Sequence, residues 1–215
     1  MRTHIFRATA ALIATAAAIL VAGPAAAQTV TISQGHIDAL SFTYDDAANA
    51  LDINVEDHAA AAVYDPAEVV FDVNDNHQVT LGSTINCVGA SGDRIWVLPR
   101  LETAGRIWAG WSTQDMALSD FGGRLQLELV NAVTPAGGSV SVYDPASAGV
   151  VNVRLSSDSA CDPGGTAVTE SHHHPQWSFT APGSYQLTFQ VSGTHATDGA
   201  VTSAPVTYTF DVGGA

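Results

Sequence analysis

Beyond its first 28 residues, this chain repeats its apolar side chains every second position. Tyr185 to Val191 alternates strictly, and Leu125, Leu127 and Leu129 face away from Gln126 and Glu128. Ala39 to Tyr44 and Ala50 to Val55 alternate in the same way, with Asp45 to Asn49 as the turn between them. A period of two is the repeat of a strand with one buried face, so the pair predicts a hairpin. Further short β-branched or apolar runs lie at Thr29–Ile32, Val69–Val73, Ile95–Leu98, Val140–Tyr143, Val150–Leu155, Gln176–Phe179 and Val206–Val212, separated by Gly, Pro, Asn and Asp. No long stretch carries a helical period, and only Ser112 to Ser119 has room for a helical turn or two. The pattern predicts an all-β chain built as an Ig-like antiparallel β-sandwich, a single domain over residues 28–215. Ala181-Pro182-Gly183 followed by Tyr185 fits the corner before a late strand of such domains, with the tyrosine ring inward and its hydroxyl hydrogen-bonded.

Residues 1–27 read as a signal peptide. Arg2 and Arg7 supply the positive start, Ala8 to Ala22 the apolar run, and Ala25-Ala26-Ala27 the small-residue cleavage pattern after Gly23-Pro24. The run is short for a membrane span, no basic cluster follows it, and the tail Asp211 to Ala215 has no apolar anchor. The expectation is therefore a secreted, extracellular protein with no direct membrane insertion. All seven basic residues are arginine, and five remain against 21 acidic ones once Arg2 and Arg7 leave with the leader. Such a surface repels nucleic acid and anionic lipid, and attracts cations. Cys87 and Cys161 are the only cysteines, and in an oxidising compartment they are expected to form a disulfide.

Seven histidines follow the leader: His36, His58, His77, His172, His173, His174 and His195. In an extended strand, His172 and His174 share a face and His173 points the other way. Two imidazoles side by side supply half of a tetrahedral zinc site, and they also suit copper, nickel or, with carboxylates, manganese. Gly35-His36-Ile37-Asp38 sets a histidine and an aspartate two apart, again on one face. Asp38 serves there either as a ligand or as the group that orients His36. His195, at an expected hairpin tip, reaches the metal if that tip folds over the triplet. His58 and His77 sit in acidic segments and read more simply as loop histidines screened by carboxylates. The candidate ligands are thus His36, Asp38, His172, His174 and His195. Trp108 and Trp111, in Arg106-Ile107-Trp108-Ala109-Gly110-Trp111, read either as a stacking platform for sugars or as a plug at one end of the sandwich. Trp177 reads as core. No nucleophile elbow, zinc-protease motif or phosphate loop is present, so the chain is not expected to be an enzyme.

Several of these segments together resemble a known family. Gly-His-Ile-Asp near the mature start, Ile-Trp-Val-Leu-Pro, Trp-Ala-Gly-Trp-Ser-Thr, His-His-His-Pro-Gln-Trp-Ser-Phe-Thr-Ala-Pro-Gly-Ser-Tyr and the closing Tyr-Thr-Phe-Asp-Val-Gly occur in that order. They are similar to the actinobacterial surface-anchored protein domain of the choice-of-anchor M proteins, over about Thr31 to Gly213. Gln176 stands where the family usually has Asn, and a sorting signal is not evident. The resemblance implies an exported protein linked to ABC transporters of the zinc and manganese type. Its matching positions are His36, Asp38, His172 and His174, with Trp111 and Trp177 as family aromatics; His58 and His77 fall outside it.

The resulting expectation is a secreted protein that binds a divalent metal, zinc above others, and serves a metal ABC transporter component. The alternative is a non-catalytic adhesion or scaffold module with a cell-wall protein as partner, or a glycan-binding module.

Overall fold

The computed structural model describes residues 29–214 apart from Ala148; the leader expected at 1–27 lies outside the described residues. The described chain is all-β, with three short 3-10 turns at Pro66–Glu68, Asp75–His77 and Leu118–Phe121 and no α-helix. None of its helices is long and apolar enough to cross a membrane.

The strands form three sheets. The first contains β1 (Val30–Ile32), β5 (Val69–Val73), β9 (Leu125–Val133), β12 (Thr166–Val168), β15 (Gly183–His195), β16 (Gly199–Thr202) and β17 (Val206–Val212), ordered β1-β5-β17-β15-β9-β12 with β16 paired to β15. The second contains β2 (Gly35–Asp45), β3 (Ala50–Asp57), β4 (Ala62–Tyr64), β8 (Ile107–Ser112) and β13 (His172–His173), ordered β13-β8-β2-β3-β4. The third contains β6 (Gln78–Thr80), β7 (Arg94–Leu98), β10 (Val140–Pro145), β11 (Val151–Ser156) and β14 (Gln176–Phe179), ordered β11-β10-β14-β7-β6.

The expected all-antiparallel pairing holds only in the third sheet. β5 runs parallel to both β1 and β17, and β2 runs parallel to β8. Parallel neighbours need long crossover connections, and side-chain alternation carries no sign of strand direction. The sequence pattern therefore located these strands without orienting them.

One apolar core joins the sheets. Trp177 and Phe179 of β14 pack against Phe189 of β15 and Phe210 of β17, with ring centroids 5.3–6.0 Å apart. Ile37, Leu40 and Phe42 of β2, and Ile107, Ala109 and Trp111 of β8, are fully buried in the same core. Tyr185 is buried, and its hydroxyl donates to the Ala181 carbonyl at 2.8 Å and accepts from the Ala181 N–H at 3.2 Å. The Pro-Gly corner is thus tied to the strand it opens, as its sequence predicted. Cys87 and Cys161 form the expected disulfide, with Cα atoms 5.7 Å apart across 74 residues.

Two features of β2 prepare the site. The hairpin turn lies where the sequence placed it, with Asp45 opposite Ala50. Beyond Asp38 the register slips against both neighbours: Asp38 pairs with Gly110, but Leu40, not Ala39, pairs with Trp111. This β-bulge inserts one residue and resets the alternation. Ile37 before it and Leu40 and Phe42 after it all face the core, while His36 and Asp38 keep the opposite face.

Candidate metal centre

Four strands of the second sheet contribute to one cluster. β13 pairs with β8, His172 opposite Ser112 and His173 opposite Trp111. β8 pairs with β2, His36 opposite Trp108 and Asp38 opposite Gly110. β3 pairs with β2, and just past its end the His58 N–H donates to the His36 carbonyl at 3.2 Å. The chain leaves the second sheet at His173 and enters the third at Gln176, so His174 and Pro175 span the change of sheet. That step carries the His174 ring over β8. The middle strand leaves room because its residue there is Gly110: a Cβ at that position would lie 2.6 Å from Cε1 and Nδ1 of His174.

The side chains converge closely. The Nε2 atoms of His36, His172 and His174 are 3.1–3.2 Å from one another. Oδ1 of fully buried Asp38 lies 2.8 Å from His172 Nε2, 3.6 Å from His36 Nε2 and 3.8 Å from His174 Nε2. A tetrahedral ion with ligand bonds of about 2.0–2.1 Å sets its donors about 3.3–3.4 Å apart, and these six separations bracket that value. Donor atoms of His36, Asp38, His58 and His172 also all lie within 4.8 Å of one another, a second set that can hold a metal ion. His58 Nε2 is 2.9 Å from Asp38 Oδ2, the oxygen facing away from the other three histidines' contacts.

Hydrogen bonding alone does not satisfy the three imidazoles. Each neutral ring presents Nε2 either as a donor or as an acceptor. Three mutually adjacent atoms cannot take two roles so that every pair is unlike. At least one pair must set lone pair against lone pair or proton against proton. Asp38 Oδ1, an acceptor when ionised, adds a fourth member to the conflict. A cation among the four atoms removes it, because each then turns a lone pair toward positive charge.

Protonation states favour the same use. Burial pushes the His174 imidazole down to about 4, with His172 and His36 acting in the same direction against Asp38. Burial, then the neighbouring His58, lowers His36. Both rings are neutral at neutral pH, the form that ligates metals. Nδ1 of His174 lies toward the Ala109 carbonyl but forms no well-shaped hydrogen bond. Trp108 stacks on the His174 ring at 3.8 Å and 16°, sits 4.5 Å from His36, and donates its indole N–H to the Arg100 carbonyl at 2.9 Å.

His173 points away, as alternation requires. Its Nε2 is 2.9 Å from Asp144 Oδ1, and Asp144 accepts from Arg154 Nε at 2.7 Å. These two bonds tie the ligand-bearing segment to β10 and β11 of the third sheet.

Not every expected residue joins the cluster. His195 is placed elsewhere: its Nδ1 lies 2.7 Å from Asp198 Oδ2, and its ring packs on Tyr44 and Phe121. Tyr44 lies eight positions further along β2 than His36, roughly 25 Å in an extended strand. The tip of β15 therefore folds over the opposite end of the second sheet. Trp111 is fully buried, because β8 is an interior strand whose odd-numbered residues face the core. It offers no platform for a sugar, and Trp108 covers the histidines instead. His77 is a framework residue: Nδ1 donates to the Asn74 carbonyl at 3.2 Å and Nε2 accepts from the Ile107 N–H at 2.8 Å, which fixes the start of β8. Burial lowers its pKa.

His58 is the residue that the sequence reading passed over. A signal for it was present. Folding the hairpin about Asp45–Asn49 with one bulged residue puts position 58 opposite position 36. Compared with known proteins, the chain matches no family model, no curated protein and no solved structure at a meaningful level.

Proposed function

We propose that this protein is exported and binds one divalent transition-metal ion, zinc by preference, through His36, Asp38, His172 and His174. The observation that carries the reading is the triangle of Nε2 atoms at 3.1–3.2 Å, an arrangement that hydrogen bonds leave in conflict and a cation resolves. Three imidazoles and one carboxylate are a borderline-soft donor set, which disfavours magnesium and calcium. Near-tetrahedral spacing favours zinc over copper(II), which prefers tetragonal sites. Four protein donors complete the coordination and leave no open position, which supports storage or delivery over catalysis.

The disulfide supports an oxidising compartment, and the leader-like start supports export. The acidic composition would concentrate cations near the site. The resemblance to surface-anchored domains supports supply of a metal-type ABC transporter, on a framework we read as Ig-like from the Tyr185 corner. Calorimetric titration of chelator-stripped protein should give one zinc per chain. The His172→Ala, His174→Ala double variant should lose that binding while keeping its β-sheet circular dichroism. Unchanged binding in the double variant would exclude this site, and no stoichiometric binding in the wild type would leave a scaffold module as the better reading.

A further inference from the structure

The cluster holds two overlapping four-donor sets. His36, Asp38 and His172 are common to both; His58 completes one and His174 the other. The two completing residues differ in their surroundings. The His58 side chain is 33% exposed, in the turn after β3, whereas that of His174 is 7% exposed under Trp108. Of the shared donors, His36 and His172 are intermediate, each 26% exposed, and Asp38 is fully buried.

From this we infer that the ion enters and leaves through the outer set, and exchanges His58 for His174 on its way to the buried position. The inference rests on the metal-binding reading above. Asp38 makes the exchange short, since one oxygen faces His58 at 2.9 Å and the other faces His172 at 2.8 Å. An ion moving between the two sides keeps three ligands throughout. Zinc expands readily to five-coordination, so His174 can bind before His58 departs and no ligand is lost to bare solvent. His58 can present a lone pair at Nε2 when its proton sits on Nδ1. In the metal-free site Asp38 Oδ2, 2.9 Å from Nε2, holds the proton there, so the ring exchanges it through solvent for one on Nδ1 as the ion arrives, with Glu56 Oε1 3.9 Å from Nδ1. His58 also stacks on His36 with centroids 4.0 Å apart, which keeps its ring beside the shared donors when the ion has moved inward.

A relay and a merely orienting role predict opposite kinetics. If His58 only orients Asp38, removing it weakens affinity and speeds release. If His58 is an entry ligand, removing it raises the barrier in both directions and leaves the end states alone. Zinc association and chelator-driven release should be measured by stopped flow on full-length wild type, His58→Ala and His58→Gln. Glutamine can still donate to Asp38 Oδ2 but is a poor zinc ligand. His58→Gln should slow association and release together by about tenfold or more, the effect of losing one modest transition-state interaction, with affinity unchanged; His58→Ala should slow association as much and lose affinity through the missing bond to Asp38. His174→Ala should still hold one zinc, more weakly, and His58→Ala combined with it should hold none.

Wild-type rates in both His58 variants would overturn the inference. So would faster release with weaker affinity in His58→Ala that His58→Gln restores. Failure of the wild type to bind zinc at all would instead overturn the metal-binding reading, and the two failures are distinct. Circular dichroism of each variant confirms the fold, and the exposed turn position of His58 makes it tolerant to substitution.

Discussion

Replacing Gly110 with alanine should lower zinc affinity by about 100-fold, a loss at the upper end of those seen for residues that support ligands from behind, and destabilise the metal-free fold by about 1–3 kcal/mol. The added methyl would lie 2.6 Å from the His174 ring and 2.7 Å from the His173 carbonyl oxygen. Neither neighbour can yield easily. The His174 ring is stacked on Trp108, and the His173 carbonyl belongs to a segment anchored through Asp144 and Arg154. The methyl must displace either the ring or the strand, and both carry the ligand. Backbone strain is not the cause, because Gly110 does not have a positive φ. Zinc competition titration and urea denaturation of Gly110→Ala read the two effects separately. Wild-type affinity in this variant would mean that His174 is not a ligand.

Removing the disulfide should have the largest effect on stability alone. Cys87 and Cys161 close a loop of 74 residues, for which the chain-entropy relation gives about 4 kcal/mol. The bridge joins the loop before β7 to the loop after β11, and Ser141 of β10 donates its hydroxyl to the Cys87 carbonyl at 2.6 Å. It therefore staples the third sheet at a place where none of the metal-site residues bonds to it. A Cys87→Ser, Cys161→Ser protein should unfold at markedly lower urea concentration yet bind zinc in the same one-to-one ratio in the absence of urea. Equal midpoints for the two proteins would mean that the loops are held by their other contacts. Lost zinc binding in the folded variant would tie the bridge to the site.

Much of this structure is legible residue by residue, and the reasons for the rest are physical. Alternation located the β2–β3 hairpin, β9, β15 and β17, because a half-buried strand imposes a period of two. The same rule put His172 and His174 on one face, His173 on the other, and His36 with Asp38. What alternation cannot show is which strands become neighbours. The parallel pairing of β2 with β8 brings Gly110 beside Asp38, and in the chain those two strands are separated by five others, β3 to β7, drawn from all three sheets. His195 is available by sequence because a hairpin tip is free to fold in either direction, and its pairing with Asp198 emerges only from the turn geometry. Trp111 reads as a stacking platform or an end plug because Gly110 interrupts the apolar run. That glycine is in a strand, and its missing side chain is what admits His174. His58 reads as a loop histidine because it lies in an acidic segment past the end of its strand, and its place opposite His36 shows only when the hairpin is folded with its bulge.

The central claim is that three imidazoles and one carboxylate surround a single ion. X-ray absorption at the zinc edge, on protein loaded with one equivalent and freed of excess, tests this most directly. Four nitrogen or oxygen neighbours at about 2.0–2.1 Å are expected, with the outer-shell scattering of three imidazole rings that falls in His172→Ala, which removes a donor common to both sets. A six-coordinate oxygen shell without imidazole scattering, or a spectrum unchanged in His172→Ala, would contradict it.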